Sequence, residues 1–257
     1  MPPAEQLIAR VRRKDWTVVP DVKHATEPVA SGLAYLAAAE DRRVRELALV
    51  CLDEIGGAEA RAAFLRALDD PVENIRDRGV GFLHHHHAAA DLPALYRALA
   101  DSPDLFVREQ VALIIGEIGD AGAIPELRRQ LAATTSAGLI GHLQLALARL
   151  GDRDSQERVV QRLERPSVLD RKEALQDFEY MSQPAYVPRL APLLDDRRDA
   201  DVVVPEPVPL VLRVCDLTVH TIERVARRPL PFGTDAPRQF SDNELATARD
   251  RIQRRRA

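Results

Sequence analysis

Four consecutive histidines, His84–His87, are the densest cluster of chemistry-bearing side chains in this 257-residue sequence. On a helix His84 and His87 stand three apart and share a face, and two imidazoles at that spacing can bind Zn²⁺ or Ni²⁺. A durable site needs a third or fourth ligand. The nearby sequence offers only Asp91, which would have to fold back. The competing expectation is a polar helix end, where imidazolium suits the negative pole of the helix dipole. No Gly-rich phosphate loop, nucleophile elbow or paired Cys/His spacing is present. The sequence therefore assigns no catalytic residue, no metal and no cofactor.

A second group of side chains is acidic and periodic. Glu46, Asp77 and Glu109 each directly follow an arginine, and Asp53, Glu54, Glu117 and Glu179 occupy the next helical positions along the same register. In these columns seven acids stand against Lys172 and Arg149. Carboxylates so arranged would repel phosphate backbones and attract a basic surface.

The elements that place these side chains repeat. The segments 44–52, 75–83, 107–115, 139–147 and 170–178 align, with Arg45, Arg76, Arg108, Ile140 and Arg171 in their second positions, at steps of 31, 32, 32 and 31. Small or apolar residues follow at +4 and +8 of each segment start, from Ala48 and Leu52 to Ala174 and Phe178, which is one stripe of an α-helix. Gly56-Gly57, Gly119 and Gly151 read as helix stops. Pro71, Pro103 and Pro166, each five residues ahead of an arginine of the series, read as first-turn residues. Second amphipathic stretches lie between, at 58–70, 90–101, 121–133, 154–166 and 183–196. Arg45, Arg76, Arg108 and Arg171 are expected to form an internal ladder, with Asp70 and Asp101 as partners. The series then breaks. Arg213 follows Arg171 by 42 residues, and the excess falls in 195–209, where Pro205, Pro207 and Pro209 favour extended chain. Ser241 and Glu244 form a capping box for a last helix that runs towards the cluster Arg251, Arg254, Arg255 and Arg256.

Composition agrees with packed helices. The chain is 46% hydrophobic and 30% charged, with 4% aromatics and 12 glycines, which disfavours β-sandwiches and barrels. A net charge of −4 argues against nucleic acid, and no stretch is apolar enough for a signal peptide or a membrane span. Two cysteines, Cys51 and Cys215, fit a reducing cytoplasm and are expected to be buried and inert.

The Pro-x4-Arg starts, the "VR…A…L…IG" helix and the "AIPELRRQL" helix resemble the HEAT-like repeat family, including its bilin-lyase-type bacterial form, over residues 28–226. The resemblance implies an all-α, right-handed α-α superhelix of about six helix pairs with a C-terminal capping helix. It would be a single domain of an N-terminal pair (1–40), regular repeats (41–194), a Pro-rich insertion (195–209) and a last repeat with its cap (210–257). It also implies that the arginine-bearing helices line a concave face, which would carry the acidic columns. The expected function is non-catalytic capture of a partner protein with a basic surface, through Glu46, Asp53, Asp77, Glu109, Glu117 and Glu179. The alternative is a HEAT-like repeat enzyme or lyase subunit, with His84–His87 as a possible metal site. Deoxyhypusine hydroxylase, which has this architecture, uses His-Glu pairs, and this chain has no His-Glu dipeptide. The acidic columns likewise depart from the basic face of HEAT-like DNA glycosylases.

Overall fold

Each step of the arginine series is a helix. In the computed structural model, which describes residues 3–23, 27–203, 209–227 and 229–253, the aligned segments fall on α4 (Arg42–Ile55), α6 (Glu73–His86), α8 (Leu105–Ile118), α10 (Ala137–Arg149) and α12 (Val168–Met181). The stripe positions are buried in all of them, from Ala48 and Leu52 to Ala174 and Phe178. The intervening stretches form α5 (Gly57–Ala67), α7 (Leu92–Asp101), α9 (Ile124–Ala133) and α11 (Arg153–Arg162). Ahead of them lie α1 (Ala4–Arg12), the short α2 (Val19–Val22) and α3 (Glu27–Leu36). The result is an all-α repeat of antiparallel helix pairs.

The helix boundaries follow local chemistry. Gly56, Gly119 and Gly151 adopt φ of +68°, +78° and +97°, a region that a Cβ would strain. The prolines differ from expectation. Pro71, Pro103 and Pro166 stand just outside the helices, ahead of the N-cap residues Val72, Asp104 and Ser167. At α8 and α12 the cap supplies an oxygen acceptor, which proline lacks: Asp104 accepts from the Phe106 N–H and Ser167 from the Asp170 N–H, whereas Val72 opens α6 without a side-chain cap. Other prolines do occupy a first turn, among them Pro20, Pro93 and Pro125 on α2, α7 and α9.

The chain divides into two compact units, Met1–Leu143 and Gln144–Ala257. In the first, Leu47, Leu52, Phe64, Leu83, Leu95, Val111 and Ile115 are buried, and the Phe64 and Phe82 rings stack with centroids 3.9 Å apart. Gly79 allows α6 to lie close on α5, because a Cβ there would come within 3.1 Å of the Phe64 carbonyl oxygen.

The second unit departs most from a regular repeat. Residues 183–196, expected as an amphipathic α-helix, are instead a 3₁₀ helix over Pro184–Asp195. Pro188 and Pro192 each remove an N–H donor and crowd the carbonyl one turn back, so the α-helical ladder cannot form. The insertion contains a hairpin: β1 (Asp199–Val203) runs antiparallel to β2 (Leu210–Arg213), pairing Val202 with Val211 across an irregularity at 199–201. Pro205 and Pro207 lie outside the described residues. Because β2 ends at Arg213, the next helix, α13 (Val214–Ala226), starts later than the sequence suggests, and Arg213 is its N-cap rather than a ladder residue.

The capping box forms as expected. Glu244 accepts from the Ser241 N–H at 2.8 Å, and Ser241 Oγ accepts from the Glu244 N–H at 3.4 Å, opening α14 (Asp242–Gln253). Leu245, Ala248 and Ile252 of α14 join a core built from Val159, Phe178, Leu190, Val219 and Ile222. Arg251 is exposed at its end, and Arg254, Arg255 and Arg256 lie outside the described residues. No described helix is long and apolar enough to cross a membrane.

Candidate functional site

The arginine series fixes the register on which any site depends. Arg45 Nε donates to Asp70 Oδ2 at 2.7 Å, while its Nη1 reaches the carbonyls of Ala39 and Glu40. Arg76 Nε donates to Asp104 Oδ2 at 2.7 Å and its Nη1 to the Asp70 carbonyl at 2.9 Å. Arg108 Nε donates to the Leu99 carbonyl, and Arg171 to the Arg165 carbonyl and the Asp196 carboxylate. The acid that serves Arg76 is thus Asp104, the N-cap of α8. Asp101, which sequence reasoning nominated, bonds to none of these arginines.

One helical position along from Arg45 and Arg76 are Glu46 and Asp77. With Asp53, and with Asn74, Arg78, Gly81 and Phe82, they line an open concavity of about 510 Å³ in the first unit. Among the described residues, Glu46, Asp53 and Asp77 make no ion pair or hydrogen bond, whereas Glu117 and Glu179 do. Three carboxylates from α4 and α6 therefore face one space with Arg78 as the single cation at its edge. Carboxylates not spent inside the fold are free to pair with cations of another molecule.

The other expected contacts are arranged differently. Glu109 lies over Gly138 at the start of α10, where a Cβ would collide with its carboxylate. Glu117 is committed internally: its Oε2 is 2.9 Å from His84 Nδ1, and His84 Nε2 is 3.0 Å from Gln110 Oε1. The Glu117 hydrogen bond raises the His84 pKa above its ordinary value, against the opposing effect of burial. In the second unit Glu179 accepts from Thr221 Oγ1 and from Arg224 Nη1, each at 2.7 Å. The structure thus gathers Glu46, Asp53 and Asp77 into one site and leaves Glu109, Glu117 and Glu179 elsewhere.

The histidine run is used by the fold. His84 ties α6 to α8, His86 tilts against the Phe82 ring at 4.5 Å, and His87 Nδ1 lies 3.0 Å from the Leu83 carbonyl. Among the described residues no group of three or more His, Cys, Asp or Glu side chains is placed to hold a metal ion. Sequence reasoning missed the His84–Glu117 pair. The signal was present, since Glu117 lies one position past the equivalent of His84 in the next repeat. Cys51 and Cys215 are buried, and burial pushes the Cys51 thiol up to about 12, which keeps it protonated and unreactive.

Helix pairs at this spacing, held by arginines, build a HEAT-like helical repeat fold. The fold is similar to that in the complex of CpcE and CpcF of phycocyanin lyase from Nostoc sp. PCC7120, with a TM-score of 0.52 and 15% identity over 98% of this chain and 95% of that one. It is also similar to human deoxyhypusine hydroxylase in complex with glycerol, with a TM-score of 0.41 and 16% identity over 91% of this chain and 96% of that one. No family model and no curated protein matches the sequence.

Proposed function

We propose that this chain works as a HEAT-like repeat subunit in an assembly with a second protein, and that a basic segment of that partner docks in the concavity of Glu46, Asp53 and Asp77. The observation that carries the reading is the contrast among the acids. These three share one open space without internal partners, while Glu117 and Glu179 are held by His84, Thr221 and Arg224. A lysine or arginine entering this space meets charge that the fold has not neutralised, beside the apolar edge of Phe82. Native mass spectrometry of the full chain isolated from its own cells tests the reading. A stoichiometric complex with one second chain supports it, and a monomer alone contradicts it.

A second, finer reading concerns what the assembly does. Between a free-standing adaptor and a subunit of a lyase-type enzyme, the likeness to phycocyanin lyase along nearly the whole of both chains favours the lyase subunit. On this reading the chemistry does not run through the histidine run, whose half-buried His84 is already engaged by Glu117 and Gln110. Intact mass of the partner, isolated from cells that contain the chain and from cells that lack it, separates the two. A covalent mass change supports the lyase subunit, and an unchanged mass supports the adaptor.

A further inference from the structure

The second unit contains a cavity of about 280 Å³ that none of the repeat-forming interactions uses. It opens where the chain leaves its repeat: hairpin residues Asp201 and Leu212 border it, as do Thr234 and Asp235 of the segment ahead of α14. Leu175, Leu212 and Leu217 give it an apolar lining. Its charged groups fall into two internal pairs, Lys172 with Asp201 at 2.9 Å and Arg224 with Glu179 at 2.7 Å. Each pair is neutral as a unit. Asp235, also in the lining, is exposed and has no partner among the described residues, so the cavity carries a net charge of −1 with its imidazole neutral.

That imidazole is His220. Its Nε2 atom is shielded from solvent and has no hydrogen-bond partner, and its ring sits edge-on to Phe240 at 5.3 Å. An unpartnered buried nitrogen is costly, and few native side chains leave one. Burial, aided by the positive charge of Arg224, lowers the His220 pKa below its ordinary value, so the ring is uncharged at neutral pH and able to accept a hydrogen bond. An anionic ligand would have to draw Lys172 or Arg224 away from Asp201 or Glu179. A cation meets no such competition.

We propose that this cavity binds a primary alkylammonium group, with Asp235 and His220 receiving its N–H donors and Leu175, Leu212 and Leu217 contacting its alkyl stem. The ammonium satisfies Asp235 and the His220 nitrogen, both left unpaired by the fold, and the apolar lining selects an extended stem over a bare ion. This site is separate from the acidic concavity and does not rest on the partner reading.

The test is a titration of the full chain, ¹⁵N-labelled at histidine, followed through the His220 ring signals. n-Butylammonium is expected to shift them saturably, while tetramethylammonium at equal ionic strength, which has no N–H donor, leaves them in place. Asp235→Asn, at an exposed and unpartnered position, is expected to weaken n-butylammonium binding about tenfold without altering the fold. A lysine-centred pentapeptide distinguishes the sources. Tighter binding than n-butylammonium assigns the site to a lysine of a protein, and weaker binding assigns it to a free amine. The proposal is overturned if n-butylammonium gives no saturable shift at His220, if acetate or tetramethylammonium gives an equal one, or if Asp235→Asn binds like the wild type.

Discussion

Arg45 and Asp70 meet through two hydrogen bonds, Nε to Oδ2 at 2.7 Å and Nη2 to Oδ1 at 3.0 Å, with side chains only 11% and 8% exposed. The same Asp70 caps the Val72 N–H ahead of α6, and its carbonyl receives Arg76. One residue thus joins three consecutive elements. Asp70→Ala leaves a largely buried guanidinium without its acid and removes a cap, at an expected cost of about 2–4 kcal/mol in urea unfolding. The neighbouring Asp69→Ala, exposed and outside the ladder, is expected to change stability by less than about 0.5 kcal/mol. Equal effects of the two substitutions would show that the ladder does not hold the repeat.

Much of this arrangement was legible in the sequence because it is periodic. A period near 32 residues forces equivalent side chains onto equivalent positions, so α4, α6, α8, α10 and α12 could be placed from the series Arg45, Arg76, Arg108, Ile140 and Arg171. What failed was not periodic. The 3₁₀ helix at Pro184–Asp195 arises from two prolines inside an otherwise amphipathic stretch, and the β1–β2 pairing depends on contacts that no local pattern encodes. The candidate site was legible only in part. Sequence shows that Glu46, Asp53, Asp77 and Glu117 carry charge on related positions, but whether a carboxylate is free depends on its neighbour. His84 lies across from Glu117, and nothing equivalent lies across from Asp77.

The two helical glycines of α6 should respond in opposite directions. At Gly81 a Cβ would meet no atom within 4 Å, so Gly81→Ala is expected to stabilise by about 0.5–1 kcal/mol through helix propensity. At Gly79 the same methyl would come within 3.1 Å of a backbone carbonyl that cannot swing aside, and Gly79→Ala is expected to destabilise by about 1–3 kcal/mol. Thermal unfolding of both variants measures the difference, and a stabilising Gly79→Ala would contradict the close approach of α5 and α6.

His84 should make stability fall as pH rises. Its folded pKa lies above the ordinary 6.5 because Glu117 holds the imidazolium, so the native state keeps a proton that the unfolded chain gives up. The contribution is fully present below pH 6.5 and is lost as pH rises through the folded pKa. Chemical unfolding of wild type and His84→Phe across this range checks it. The advantage of the wild type should shrink on the alkaline side, and a constant difference would contradict the pairing with Glu117.

His220 should act in the opposite sense. Its folded pKa lies below 6.5, chiefly through burial and then through Arg224, with Glu223, Glu179 and Asp216 opposing. Its contribution is present above pH 6.5 and is lost as pH falls towards the folded value, because the unfolded chain takes up a proton that the native state refuses. His220→Phe is expected to reduce the acid-side loss of stability, read from unfolding midpoints between neutral and mildly acidic buffer. An unchanged acid limb would contradict the burial of this ring.

The partner-docking claim is tested most directly by the dissociation constant of the complex between the full chain and the protein that co-purifies with it. It should be measured for the wild type, for E46K/D53K/D77K, and for a D69K/D101K control that reverses charge in the separate groove between α5 and α7. The expected result is an affinity loss of about 100-fold or more in the triple variant, since like charges brought together cost several kcal/mol, with the control within about threefold of wild type. A triple variant that binds its partner as tightly as the wild type would contradict the account.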